Sequence, residues 1–389
     1  MIIKSLLDQD FYKITMSQMI HHRFPEAITT WKFKCRNPMM NLGKFADKVN
    51  EEITDFCSLK FMDDEINFLK GIRFLKQDYL EFLRDLQLKK DYVLVSTKGN
   101  ELDIQLEGPW SRVTFMEVPI LAIVNELFSQ DASKGKNETG ITNLNNKIHL
   151  IEQANKNEPH LQFKFSDFGT RRRWSREWQR NVVGTILSRI PQNFTGTSNV
   201  ALAKEFGITP IGTMAHEMFQ ASQAYVRLVD SIKFTLENWV QEYRGDLGIA
   251  LTDNITMDAF LRDFDLYFAK LFDGCRHDSG DPSVWCDKLI AHYQKLKIDS
   301  RTKTAVFSDG LDFWKALELA RKYHGKIKTA FGIGTNLTND CGTPALQIVM
   351  KMVQCNGVPV AKISDNESKI MCEDQDYVNY LKKVFKIPA

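Results

Sequence analysis

Six short polar turns carry the residue types that could do chemistry. SDFGTRRRW (166–174) sets Gly169 before Arg171, Arg172 and Arg173, a concentration of guanidinium groups suited to a phosphate or carboxylate through paired N–H donors. Any one of these arginines taken alone is better explained by pairing with a surface acid; three at one turn are not. GTMAHE (212–217) brings His216 just after Gly212-Thr213, where an imidazole could serve as nucleophile or general base and Glu217 or another acid could set its tautomer. A solitary histidine is ordinarily a hydrogen-bonded structural residue, so the weight lies on its position. Asp253 ends LGIALTD, and RHDSGDP (276–282) sets Arg276 two residues before Asp278, a pattern suited to a magnesium-bound pyrophosphate or a ribose diol. Asp281, before Pro282, reads equally well as a helix cap. SDG (308–310) offers Asp309 to two sugar hydroxyls, and FGIGT (331–335) offers the backbone N–H groups of Gly332, Gly334 and Thr335 to a phosphate.

Elements must hold these turns together. Apolar runs at 162–166, 208–211, 247–252, 304–307 and 328–331 each precede a polar turn and then, sooner or later, an amphipathic helix. The clearest helix starts near Thr256 and buries Met257, Phe260, Leu261, Phe264, Phe268 and Leu271. Repeated β-loop-α units imply a parallel sheet or barrel, whose active site collects on the loops after the strands. Before residue 160 the texture is mainly helical: 11–20, then 45–86 with Val49, Ile53 and Phe56 on one face and Asp63 as a cap. Strands are expected over 30–35 and in a hairpin, 91–98 and 101–107, turning at Gly99-Asn100. Residues 129–146 are the most loop-like and take a domain boundary.

Composition bounds the rest. A chain of 389 residues with 43% hydrophobic and 26% charged residues is an ordinary folded protein of two or three domains, a barrel being the standing exception. Fifty-one basic against 49 acidic residues leave +2, so no global field points to nucleic acid or an anionic membrane. The longest apolar run, 118–124 between Glu117 and Glu126, is far too short to span a bilayer. Lys4, Asp8 and Asp10 interrupt any signal-peptide core, so the expected location is cytoplasmic. Seven cysteines without zinc-type spacing read as reduced thiols. Together these features reach a phosphorylated, sugar-containing substrate with a divalent metal, handled on an α/β barrel.

The assembled motifs resemble the bacterial nicotinate phosphoribosyltransferase family. The likeness runs in order from LLDQDFYK (6–13) through CRN (35–37), DFGTRRR, GTSN (196–199), GTMAHE, LTDNITMDAF, RHDSGDP, SDGLD and FGIGT to KISDNESK (362–369). It implies a type II phosphoribosyltransferase fold: an α/β sandwich from residues 1–145, completed by 346–389, and an irregular, TIM-like α/β barrel over 146–345. It implies a homodimer with shared sites. The implied reaction joins nicotinate to 5-phosphoribosyl 1-pyrophosphate, giving nicotinate mononucleotide and pyrophosphate, with ATP as co-substrate and Mg2+ as cofactor. His216 matches the histidine that ATP phosphorylates. Phe168 and the partner subunit's Tyr12 match a pair that sandwiches the pyridine ring. Arg171 and Arg276 match contacts to the nicotinate carboxylate or a nearby phosphate, and Asp309 contacts to the ribose. Gly334 and Thr335 match a 5′-phosphate cradle, Asp253 and Asp278 the magnesium region, Arg36, Lys362 and Lys369 phosphate contacts, and Thr213 the substrate-facing turn. Similar nicotinamide-using enzymes carry Asp where this chain has Ser198; a carboxylate there would repel the acid substrate. The alternatives are a nicotinamide phosphoribosyltransferase, a decarboxylating quinolinate enzyme, a sugar-phosphate aldolase or isomerase, and a nucleotide sensor without activity. The turns offer no Schiff-base lysine for the aldolase.

Overall fold

Alternation in ITTWKFKC makes strand β1 (Ile28–Cys35) bury Thr29, Trp31 and Phe33 on one face. It pairs on one side with β3 (Glu101–Pro109), whose hairpin partner β2 (Val93–Lys98) turns at Gly99-Asn100, where Gly99 takes a left-handed φ of +62°. The computed structural model describes every residue except 38, 39, 135, 136, 367–369, 371, 373, 388 and 389.

The second sheet is parallel throughout. Its strands are β4 (Phe165–Asp167), β5 (Phe194–Thr197), β7 (Ile249–Leu251), β8 (Gly274–His277), β9 (Thr304–Phe307) and β10 (Lys328–Ile333), in the order β5-β4-β10-β9-β8-β7. The short β6 (Arg244–Leu247) precedes β7 outside that order. The chain then returns to the first sheet: β11 (Ile348–Cys355) pairs antiparallel with β1, and β12 (Val358–Pro359) with β11, giving β12-β11-β1-β3-β2.

The run 208–211, expected as a strand, joins no ladder. Pro210 has no N–H to give one. Instead Ile211 N donates to Thr197 O (2.9 Å) at one edge of the parallel sheet, and Thr213 Oγ1 donates to Ile249 O (3.0 Å) at the other. An irregular segment thus closes the ring between β5 and β7.

Helices differ from expectation in three places. Residues 129–146, expected as loop, are largely helical: Glu117–Ser133 and Glu138–Asn157 cover most of them, and position 145 lies inside the second. Leu144, Ile148 and Ile151 fall on one buried stripe, so packing overrides the weak propensity of the Asn, Gly and Thr around them. Asp63 is the first residue of its helix, after Met62, rather than the cap. The helix capped by Thr256 ends at Asp263, Asp265 caps a second one, Leu266–Leu271, and Leu271 is exposed. Glu117–Ser133 is the central post. Its apolar stretch 118–124 is wholly buried, and its flanking acids meet buried cations, Glu117 with Lys13 (2.6 Å) and Glu126 with Arg173 (3.8 Å). All seven cysteines are free. Among the described residues no helix is long and apolar enough to cross a membrane.

Candidate active site

His216 opens the helix His216–Ser222 at the end of the irregular 208–215 segment and is 5% exposed. Its Nε2 lies 2.8 Å from Asp253 Oδ1, 2.7 Å from Lys362 Nζ and 3.7 Å from Asp278 Oδ2. One nitrogen cannot donate to the carboxylate and accept from the ammonium at once, so the ring proton and Lys362 compete for it. Burial, reinforced by Lys362, pushes the imidazole down to about 4, which keeps it neutral at physiological pH. Asp253 Oδ2 also accepts from Lys362 Nζ (2.7 Å) and Ser279 Oγ (2.6 Å). Against the cost of burial, Lys362 and His216 hold Asp253 well below the usual carboxylate range, and Arg276, Lys362 and His216 together hold Asp278 down to about 2.

Two adjoining pockets meet over these residues. The first is polar and is lined by His216, Asp278, Glu117, Glu217 and Lys351 among others; the second is a mostly apolar slot lined by Asp10, Tyr12, Phe168, Ser198 and Thr213 among others. Tyr12, Arg171 and Arg276 line both. Arg171 sits with its Cζ 5.9 Å from the Tyr12 ring centroid and its Nε 3.6 Å from Asp10 Oδ2. Arg276 donates to Met214 O (3.0 Å) and lies 3.9 Å from Asp278.

Tyr12 comes from the same chain as Phe168, which corrects the expectation that a partner supplies it. A latch brings it there. Phe11 N donates to Ser198 O (2.7 Å), Val200 N to Gln9 O (3.0 Å), and Asp10 forms a bridge with Asn199. Beneath, Arg173 grips Asp8 with both terminal nitrogens (2.6 and 2.9 Å), and Asn199 Nδ2 adds a third bond (2.8 Å). Asp167, fully buried, accepts from Thr197, Gln179 and Gly169 N and so fixes the backbone on both sides of Phe168.

Other expectations are redistributed. Of the three arginines only Arg171 lines the pockets; Arg172 donates to Ile348 O (3.1 Å) and Arg173 is structural. Glu217 does not orient His216: it pairs with buried Lys13 and accepts from Thr114 Oγ1 (2.6 Å), and Asp253 takes the orienting place. Ser198 Oγ donates to Asp10 Oδ1 (2.6 Å), which ties these two slot residues together. Asp281 caps Pro282–Lys295. Asp309 and Gly334-Thr335 stand on the turns after β9 and β10, and Arg36 at the end of β1, none among the residues lining the two pockets. Lys369 lies outside the described residues. The nitrogen of His216 and an oxygen each of Asp253 and Asp278 fall within 4.8 Å of one another, as metal ligands could. The Asp278 side chain is 27% exposed against 1% for Asp253, so Asp278 is the better placed to face a cation.

Sequence reasoning did not single out Asp10, Lys13, Glu117, Ser279 or Lys351. Lys351 had a signal: it is the one cation in the otherwise apolar alternation of IVMKMV. Burial pushes it down to about 8.

Residues 163–389 match the nicotinate phosphoribosyltransferase (NAPRTase) family, and residues 7–125 match that family's N-terminal domain. The chain is 52% identical over 394 residues to nicotinate phosphoribosyltransferase of Chromobacterium violaceum, covering 100% of this chain and 98% of that one. It is also 52% identical to the Acinetobacter baylyi enzyme of the same name, over 99% and 97% of the two chains. The crystal structure of nicotinate phosphoribosyltransferase from Vibrio cholerae superposes with a TM-score of 0.96 at 40% identity, covering 100% of this chain and 94% of that one. That from Porphyromonas gingivalis gives 0.92 at 34%, covering 99% and 100%.

Proposed function

The chain belongs to the nicotinate phosphoribosyltransferase family, and from that premise we propose how its site transfers a phosphoribosyl group to nicotinate. The pyridine ring occupies the slot between Tyr12 and Phe168, with its carboxylate toward Arg171 and Arg276. Its ring nitrogen attacks the anomeric carbon of 5-phosphoribosyl 1-pyrophosphate, and the carbon–oxygen bond to pyrophosphate breaks, with the bonding pair leaving on pyrophosphate. The protein positions the two reactants and stabilises the separating charge. The observation that carries this reading is that Arg171 and Arg276 line both the ring slot and the polar pocket of His216, so two guanidiniums face the junction of acceptor and donor.

His216 takes a phosphoryl group from ATP: a neutral ring nitrogen attacks the terminal phosphorus as ADP leaves. Asp253 and Lys362 must both yield Nε2, with the ring proton on Nδ1, for that nitrogen to react, and Lys362 can follow the incoming phosphoryl oxygens as their counter-ion. Magnesium, facing Asp278, neutralises phosphate charge when bound. Asp309 serves the ribose hydroxyls, and Gly334, Thr335 and Arg36 the phosphates. The product, nicotinate mononucleotide, belongs to NAD biosynthesis, and we place the enzyme in the cytoplasm as a homodimer.

The test is product formation from phosphoribosyl pyrophosphate and magnesium with nicotinate or nicotinamide, each with and without ATP. Nicotinate mononucleotide, stimulated by ATP, is expected; turnover of nicotinamide in its place overturns the substrate. His216→Ala is expected to abolish ATP hydrolysis while leaving some uncoupled transfer, and undiminished ATPase in that variant removes His216 from its role.

A further inference from the structure

We infer that Gly332 sets the width of the ring slot, as the seat against which Phe168 rests, and is a specificity-determining residue rather than part of a phosphate cradle. The inference rests on the assignment of that slot to the pyridine ring. Gly332 lies inside β10, paired with Ser166 of β4. Its φ is outside the left-handed region, so backbone freedom does not account for glycine here. Space does. A Cβ built on Gly332 would fall 2.2 Å from both Cδ2 and Cε2 of Phe168 and 3.0 Å from Cγ, so the ring edge lies directly against the bare α-carbon.

Phe168 cannot retreat by moving its backbone. Its N–H donates to Ile333 O (2.9 Å), Asp167 bonds the next residue's N–H, and its carbonyl oxygen is 3.1 Å from where a Cβ on Gly334 would stand. A methyl at Gly332 therefore displaces the ring alone, and the open side of the ring is the slot. The opposite wall also leans on a glycine, through the backbone that carries Tyr12 rather than through its ring. Gly212 also has no left-handed φ, and a Cβ there would meet Tyr12 N at 2.9 Å and Phe11 Cβ at 3.4 Å. Both aromatic walls thus stand on glycines whose missing side chains define where a flat ring fits.

The experiment measures KM for nicotinate and for phosphoribosyl pyrophosphate, with thermal midpoints, in the wild type, Gly332→Ala, Phe168→Ala and the double variant. Gly332→Ala is expected to raise KM for nicotinate at least about tenfold and to change KM for phosphoribosyl pyrophosphate less than about twofold. In the Phe168→Ala background the same substitution should change KM for nicotinate less than about twofold. An equal penalty with and without Phe168, or a rise confined to phosphoribosyl pyrophosphate, overturns the inference. Should Gly332→Ala alone fail to fold, recovery of folded protein in the double variant supports it, and failure of both overturns it. A wild type that does not turn over nicotinate refutes the assignment of the slot instead, while the coupling of Gly332 and Phe168 in thermal midpoint still reads the contact.

Discussion

At residue scale, the slot already holds a carboxylate that an acid substrate must meet. Asp10 lines the slot, and its charge is answered by Arg171 at 3.6 Å and by the Ser198 hydroxyl at 2.6 Å. Ser198→Asp would exchange a donor for a second carboxylate and leave Arg171 shared between two acids. The expected result is a rise in KM for nicotinate of about 10- to 100-fold, roughly 1.4–2.8 kcal/mol, with a fall in KM for nicotinamide. An unchanged ratio of the two would show that neither residue governs the choice. His216 and Asp278 were legible in sequence from their places on strand-end turns, and Arg171 as one of three arginines at one such turn, which only the resemblance told apart. Asp10 and Lys13 were not, because they precede and open a helix far from the barrel in sequence, and only the latch brings them in. Asp253 was legible as an acid but not as the orienter of His216, which depends on a third group, Lys362, arriving from 109 positions away.

At element scale, the latch between the N-terminal segment and the barrel holds a buried ion pair in which Asp8 accepts twice from Arg173 and once from Asn199. Removing one side leaves a charge in the interior: Asp8→Asn or Arg173→Met should cost about 3–5 kcal/mol, read by denaturant unfolding. A loss under 1 kcal/mol would mean that water reaches the site. The helix Phe11–Arg23 that carries Tyr12 is pinned at its other end by His22, whose Nδ1 lies 2.8 Å from Glu242 and Nε2 3.1 Å from Asp78. The hydrogen bond to Glu242, more than burial opposes it, raises the His22 pKa. A raised histidine pKa contributes stability that is complete below the unfolded value of roughly 6.5 and is lost as pH rises through the folded value. His22→Ala should therefore lower the thermal midpoint more at pH 5.5 than at pH 8.5, and an equal shift at both would show no charge-dependent role. Strands were legible where alternation or apolar runs are bounded by turns, as in β1, β9 and β10. The 208–211 run misled because hydrophobicity reports burial rather than pairing: Pro210 is buried and Ile208 and Ile211 half-buried in a segment that bridges two sheet edges without being a strand.

At the scale of the whole molecule, both walls of the ring slot belong to one chain. Mixing Tyr12→Ala subunits with Phe168→Ala subunits should give no more activity than the two separately, whatever the oligomeric state. Activity regained on mixing would place the ring pair across an interface. The order of strands was not legible, since no local pattern announces that β1 takes its neighbour from beyond residue 347.

That pairing has a consequence during synthesis. β1 leaves the ribosome early, yet one of its edges stays open until β11 emerges more than 300 residues later. At roughly 5–20 residues per second the wait is on the order of half a minute. Through it a strand with Trp31 and Phe33 on its inner face offers unpaired backbone groups to any neighbouring chain, the usual start of edge-to-edge aggregation. A nascent chain halted anywhere before β11 therefore keeps that edge of β1 open, and a strand made late closes one made early.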